Sequence, residues 1–162
     1  MSFRRTFVAV LGICLLILGS QAGPAYARYG RTPVDTWARF GDRLVDRNGV
    51  PGPLAVRVPA GTTRHVIWSI KNLGGAYPRL HRVTFFGCAD GNGFRFRYVT
   101  PAGSDVTRAV INGGYHVRGV NANEKVWLTV RVTATASGRM RSCTLTGDGN
   151  GSPDAVTLRV TD

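Results

Sequence analysis

The stretch EKVWLTVRVTAT, residues 124–135, decides the fold class. Apolar and polar residues alternate along it with a period of two, which is the pattern of a half-buried β-strand. The apolar positions are Val126, Leu128, Val130 and Val132. Trp127 and Arg131 fall on the opposite side. A strand of this kind belongs in a sheet that has one face on a core and the other toward solvent.

The same alternation recurs in five further segments on either side of this strand. They are LAVRV (54–58), RHVIWSI (64–70), HRVTFF (81–86), GFRFRYV (93–99) and AVTLRVT (155–161). Asn-Gly pairs, which favour tight hairpin turns, occur at 48–49, 92–93, 112–113 and 150–151. No long helical stripe is present, and DVTRAVI (105–111) predicts at most one or two turns of helix. We therefore predict an all-β fold, an antiparallel β-sandwich of about eight strands in a single domain.

Residues 1–27 have the pattern of a secretory signal peptide. Arg4 and Arg5 precede an apolar run over 7–18, and small residues at Ala25 and Ala27 suit cleavage after Ala27, with Ala22 as the alternative site. The general secretory and twin-arginine export routes both remain open. We expect a mature domain over 28–162, located outside the cell or in the cell envelope. It has no second apolar stretch long enough to span a membrane.

The cysteines agree with export. Removal of the signal peptide leaves only Cys88 and Cys143, and an even pair in an exported protein predicts a disulfide.

Composition and charge limit the function classes. A content of 43% hydrophobic and 19% charged residues excludes a disordered tail and a multi-span membrane protein. The net charge is +12, and loss of Arg4 and Arg5 leaves 19 basic residues against 9 acidic, or +10. Such a charge attracts anionic polymers over long range. No nucleic-acid recognition motif is present, so we expect no specific nucleic-acid partner.

Nothing in the sequence predicts a catalytic site, a metal site or a cofactor. Glu124 is the only glutamate, no GxSxG motif occurs, and His65, His81 and His116 lack metal-ligand spacing. A calcium loop is a weak alternative at three oxygen-bearing residues, namely Asp148, Asn150 and Asp154. The favoured interpretation of this segment is an ordinary hairpin turn. A similar Asp-Gly-Asn-Gly segment at 90–93 is expected to lie near it.

A basic and aromatic surface is the strongest functional indication. Arg95, Arg97, Arg131 and Arg159 point away from the predicted apolar faces, and Trp127 lies on the side of Arg131. Arginine binds phosphate or carboxylate through two hydrogen bonds, and tryptophan offers a flat face to a sugar. These five residues are candidates for binding an anionic cell-wall polymer. The alternative is that the arginines only make the sheet surface soluble.

Residues 93–136 resemble an Ig-like β-sandwich module of exported bacterial, especially actinobacterial, proteins. The resemblance is carried by the aromatic strand 94–98, Asp105-Val106-Thr107, the step from Gly113 to Tyr115 and the strand residues 128–133. Residues 33–41 and 152–161 are also similar to it. The resemblance implies an Ig-like sandwich that acts as a surface, spacer or adhesion domain, with no shared catalytic residues. A structural domain that pairs with an envelope protein through a strand edge is the second interpretation, and a small hydrolase or inhibitor is the third.

Overall fold

The computed structural model describes residues 34–46, 52–74, 79–137, 139–149 and 153–162. The predicted signal peptide, its cleavage site and the Asn-Gly turns at 48–49 and 150–151 lie outside the described residues. The described residues form ten strands and one short helix. In chain order these are β1 (Val34–Phe40), β2 (Arg43–Asp46), β3 (Leu54–Arg57), β4 (Thr63–Asn72), β5 (Arg79–Phe86), β6 (Phe94–Val99), α1 (Thr107–Ile111), β7 (Tyr115–Asn121), β8 (Lys125–Ala134), β9 (Met140–Gly149) and β10 (Pro153–Thr161).

The strands form two five-stranded sheets, which confirms the all-β sandwich. Sheet A has the order β2-β1-β4-β8-β6, and sheet B has the order β3-β10-β9-β5-β7. One pair departs from the antiparallel prediction, because β3 runs parallel to β10. These two strands are far apart in the chain, so no tight turn forces them to be antiparallel. No helix among the described residues is long and apolar enough to cross a membrane.

Each of the six predicted strands overlaps a strand of the structure, and α1 lies within 105–111 as expected. The turn prediction at Asn92-Gly93 is confirmed. Both residues have positive φ values, 51° and 78°, and the flanking Gly91 and Phe94 exchange backbone hydrogen bonds of 2.9 and 3.0 Å. Four strands were not among the six predicted: β1, β2, β7 and β9.

The core lies between the inner faces of the two sheets. Trp68 is fully buried there, with its ring edge-on to Phe85 at a centroid distance of 4.8 Å and to Tyr98 at 6.0 Å. Of the predicted inward positions of β8, Leu128, Val130 and Val132 are buried and Val126 is partly buried. Because side chains alternate along a strand, the same core contacts direct Trp127 and its outward neighbours to solvent.

The predicted disulfide between Cys88 and Cys143 is present, with an S–S distance of 2.02 Å. Cys88 lies in the connection that follows β5, and Cys143 lies in the neighbouring β9, so the bond ties this connection to a strand of sheet B. Antibody domains instead have a disulfide between their two sheets. The Ig-like assignment therefore stays a prediction beyond the β-sandwich itself.

A buried tyrosine supports the chain beside the disulfide. The Tyr98 hydroxyl accepts a hydrogen bond from the backbone N–H of Cys88 at 2.7 Å and donates one to its carbonyl at 3.0 Å. Burial raises the pKa of Tyr98 well above its usual value.

Candidate functional site

The structure brings four of the five candidate binding residues together on the outer face of sheet A. Arg97 of β6 lies directly opposite Arg131 of the neighbouring β8, and Arg95 lies opposite Thr133. All three arginines are exposed. Trp127 lies further along β8 on the same face and is 42% exposed. We call Arg95, Arg97, Arg131 and Trp127 the basic face.

Arg159, the fifth candidate, does not join the basic face. It lies in β10, which belongs to sheet B, and is paired with Ser142 of β9. Its Nε donates to the sulfur of Met140 at 3.1 Å. The expectation that all five residues share one surface is therefore corrected.

The arginines of the basic face differ in their partners. Arg97 forms an ion pair with Asp90 at 3.4 Å and donates a hydrogen bond to the carbonyl of Phe96. Within the part of the chain that the structure describes, Arg95 and Arg131 form no ion pair. These two guanidinium groups can meet an anion from solution directly. The Arg97–Asp90 pair is itself about half exposed, so Arg97 can also turn from Asp90 to a bound anion.

Asp105 also lies within the electrostatic reach of the basic face. Hydrogen bonds from the hydroxyl and the backbone N–H of Thr107 lower the pKa of this carboxyl, and the charges of Arg97 and Arg131 lower it further. Asp105 therefore stays ionised and offsets part of the positive charge at this end of the face.

The free edge of β6, beside the basic face, is closed by side chains and a turn. The backbone N–H of Phe96 donates to the carboxylate of Asp90 at 2.8 Å, and that of Tyr98 donates to the hydroxyl of Thr107 at 2.9 Å. The carbonyl of Tyr98 accepts from the N–H of Val106 at 2.9 Å. An edge whose backbone groups are already bound offers little to an incoming strand.

A groove on the same outer face was missed by the sequence analysis. Trp37 of β1 pairs with Ser69 of β4, and Ser69 pairs with Trp127 of β8, so a small buried residue separates two tryptophans. The groove has a volume of about 340 Å³. Its lining consists of Trp37, Arg39, Leu44, Ile67, Ser69 and Lys125. We call these six residues the tryptophan groove; Trp127 adjoins it.

One positively charged side chain that lines the groove is that of Lys125. The Lys125 ammonium lies 5.1 Å from the centroid of the Trp37 ring, within the range of a cation–π contact. The alternation in residues 34–40 was a signal that Trp37 and Arg39 face solvent. The sequence held no signal that β1 would lie two strands away from β8.

Charge alone does not distinguish the two outer faces of the sandwich. Among the side chains that the structure describes, the outer face of sheet B carries four exposed arginines, namely Arg57, Arg82, Arg118 and Arg159. Two of these, Arg82 and Arg118, are directly opposite one another, as Arg97 and Arg131 are on sheet A. The chain has three tryptophans; Trp68 is in the core, and the other two both lie on the outer face of sheet A. The two outer tryptophans, and not the arginines, therefore distinguish the outer face of sheet A as the candidate binding surface.

Two of the three calcium candidates lie on paired antiparallel strands. Asp148 ends up in β9 and Asp154 in β10, while Asn150 lies outside the described residues. Asp154 is 8% exposed, and its carboxylate accepts the backbone N–H of Thr36 in sheet A at 2.7 Å. This carboxylate thus links the two sheets. Among the described residues, no group of three or more potential metal ligands comes together.

The expectation that the 90–93 segment lies near the Asp148–Asp154 end of these strands is wrong. β5 and β9 are antiparallel, with Thr84 opposite Asp148, and the chain after β5 runs toward the other end of β9, where Cys88 is linked to Cys143. A strand advances about 3.3 Å per residue, so the two segments are separated by most of the length of β9, roughly 20 Å.

One imidazole and hydroxyl pair is present on the outer face of sheet B. Nδ1 of His116 lies 3.0 Å from the hydroxyl of Thr84. Thr84 is only 3% exposed, so the hydroxyl is screened from a substrate in solution. His65 lies opposite Arg131 in a different sheet.

No family model and no curated protein sequence matches the chain. Among solved structures, a conjugative transposon lipoprotein from Bacteroides eggerthii is 16% identical, covering 80% of this chain and 98% of its own, with a TM-score of 0.46. A family 123 glycoside hydrolase from Clostridium perfringens is 7% identical over 70% of this chain and 23% of its own, with a TM-score of 0.43. AvmM, which catalyses macrocyclization in alchivemycin A biosynthesis, is 13% identical over 82% and 90%, with a TM-score of 0.40. Similarities of this size leave the function to be inferred from the chain's own residues.

Proposed function

We propose that this protein is a secreted, non-catalytic interaction module that binds anionic polymers of the cell envelope through the basic face. The observation that carries the proposal is an exposed tryptophan on the same face as an Arg97–Arg131 pair. Like charges directly opposite one another destabilise a sheet. An anionic ligand that bridges the two guanidinium groups would turn this repulsion into attraction.

The chemistry of the face suits phosphate or carboxylate groups. Each guanidinium can form two parallel hydrogen bonds with such a group. The net charge of +10 without residues 1–27 adds a long-range attraction that speeds encounter. The disulfide supports an oxidising compartment outside the cytoplasm, in agreement with the signal-peptide pattern.

The second candidate is a structural domain that pairs with another envelope protein through a strand edge. The closed edge of β6 disfavours that side of sheet A. The seven-residue β7 at the edge of sheet B is the longest remaining edge strand among the described residues. Pairing there would depend on backbone hydrogen bonds and would respond weakly to salt.

Two variants with the same change of charge separate these functions. In the first, Arg95, Arg97 and Arg131 of the basic face are replaced by alanine. In the second, the sheet B residues Arg82, Arg118 and Arg159 are replaced by alanine. Retention of each purified protein on immobilised polyphosphate and polygalacturonate is measured over a salt series.

We expect wild-type retention to fall steeply with salt and to fall further in the basic-face variant only. The slope of log affinity against log salt should decrease by about one for each ligand-contacting arginine removed. Equal loss in both variants would show a diffuse charge effect and would contradict the proposal. Retention that does not change with salt concentration would favour the strand-edge candidate.

A further inference from the structure

We infer that the tryptophan groove binds a saccharide ring of an anionic glycan, with the acidic substituent of the sugar held by Lys125 and Arg39. The inference rests on the proposed function, because the groove lies on the same outer face as the basic face. It identifies the class of polymer that this outer face binds. The groove residues themselves were not among the sequence candidates.

The strand pairing builds a short floor between two indoles. Trp37, Ser69 and Trp127 occupy one row across three adjacent strands. Neighbouring strands are about 4.8 Å apart, so the backbones that carry the indoles are separated by about 9.6 Å. Ser69 is 6% exposed and has a short side chain, which keeps the middle of the row low. A ring-sized ligand can therefore enter between larger side chains.

The lining suits a molecule with an apolar face and an anionic edge. Trp37, Leu44 and Ile67 supply apolar contacts. When Lys125, which now lies over the Trp37 ring, turns to the acidic group of the ligand, the electron-rich face of the indole can attract the polarised C–H groups of a sugar ring. Lys125 and Arg39 supply two positive charges in the same groove. These charges disfavour a cationic ligand, which would otherwise be the usual occupant of a tryptophan face.

The basic face extends this groove along the sheet. Trp127 belongs to the basic face and also borders the groove, and Arg131 lies four residues further along the same strand. Outward positions along a strand repeat about every 6.6 Å, so Arg131 is about 13 Å from Trp127. A polymer lying along β8 would place one sugar ring at the groove and a further acidic group at Arg131.

The test compares three probes that share negative charge but differ in their rings. Polygalacturonate has sugar rings and carboxylates, linear polyphosphate has charge without rings, and single-stranded homopolymeric DNA has phosphates and bases. Calorimetric titrations are carried out on the wild type, Trp37→Ala, Trp127→Ala and Ser69→Leu. The last variant fills the floor of the groove while both indoles are kept. The matched control is Phe86→Ala. It removes an aromatic side chain that is 37% exposed at the end of β5, in sheet B.

We call Trp37→Ala, Ser69→Leu and the adjoining Trp127→Ala the groove variants. We expect each of them to weaken polygalacturonate binding about tenfold and to change polyphosphate binding by less than about twofold. The Phe86→Ala control should bind both probes as the wild type does. Groove variants that match this control, or a wild type that does not bind polygalacturonate, would overturn the inference. Tryptophan-dependent binding that is tighter for the DNA than for polygalacturonate would overturn the saccharide class.

The result also separates this inference from the proposed function. If the basic-face variant and the sheet B arginine variant lose the same amount of affinity for polyphosphate, the proposed function fails. If only the basic-face variant loses polyphosphate but the tryptophan variants bind polygalacturonate normally, the proposed function stands and the groove assignment fails.

Discussion

Replacing Gly147 with alanine should push apart the two sheets at a point where they pack closely. Gly147 lies on the inner side of β9, facing β1 and β4 of sheet A. A Cβ at this position would lie 2.5 Å from Oγ1 of Thr36 and 2.7 Å from both Cδ1 and Cγ1 of Ile70. Real Cβ atoms essentially never approach other atoms within 3.0 Å. Thr36 and Ile70 are fully buried, so neither can turn into solvent.

The expected loss combines overpacking with disturbed hydrogen bonds. Forcing one extra methyl into a packed core costs about 1–3 kcal/mol. Displacement of Thr36 also disturbs its hydrogen bonds to the carboxylate and carbonyl of Asp154, each worth about 1 kcal/mol. We therefore expect the free energy of unfolding to fall by about 2–4 kcal/mol. Urea unfolding followed by tryptophan fluorescence, to which the buried Trp68 contributes, should show a midpoint lowered by roughly 1–2 M.

Two further variants test the reason for this loss. Thr146→Ala, at the adjacent outward position, should change the free energy of unfolding by less than about 0.5 kcal/mol. Ile70→Ala removes two of the clashing atoms, so Gly147→Ala should cost at least about 1 kcal/mol less in that background. An unchanged midpoint in Gly147→Ala, or strictly additive losses in the double variant, would refute the close packing described here.

Two other predictions concern the disulfide and the buried tyrosine. Reduction of the Cys88–Cys143 bond, which spans 55 residues, should lower the free energy of unfolding in urea titrations by about 4 kcal/mol. The stability of a Cys88→Ala/Cys143→Ala variant should not change with reductant. Equal midpoints of the wild type with and without reductant would contradict this prediction. Because burial raises the pKa of Tyr98, its contribution to stability is complete below the unfolded-state pKa of about 10 and is lost as the pH rises toward the folded-state value. The Tyr98→Phe variant should therefore have a lower free energy of unfolding than the wild type at about pH 8, and the difference should shrink above pH 10. If the free energies of unfolding of the two proteins change with pH in parallel, Tyr98 does not titrate in this way.

The strands that the sequence predicts are those whose core-facing positions hold a regular series of apolar residues. Burial of one face imposes a two-residue alternation, and for this reason β8 is recognisable from its own residues. β9 has a strand neighbour on each side, but it contains Gly147 and Asp148 instead of a regular apolar series. Its position depends on β5 and β10, and on the close approach of sheet A at Gly147. Local patterns do not contain this information.

The candidate site could be predicted only in part because sheet membership is a property of the whole chain. Residues 130–133 read Val-Arg-Val-Thr and residues 158–161 read Leu-Arg-Val-Thr, yet Arg131 lies in sheet A and Arg159 in sheet B. The two segments are nearly identical locally and have different neighbours. The same limitation hid the tryptophan groove, whose row is assembled from three strands of separate parts of the chain.

The most direct test of the central claim is to follow the three indole N–H signals by NMR while polygalacturonate is added to the labelled protein. Trp37 and Trp127 lie on the outer face of sheet A, and Trp68 is enclosed in the core. We predict that the first two signals shift together with backbone amides of β6 and β8, while the Trp68 signal stays in place. Shifts confined to β9 and β10, or no shift of either outer indole, would contradict binding at this face.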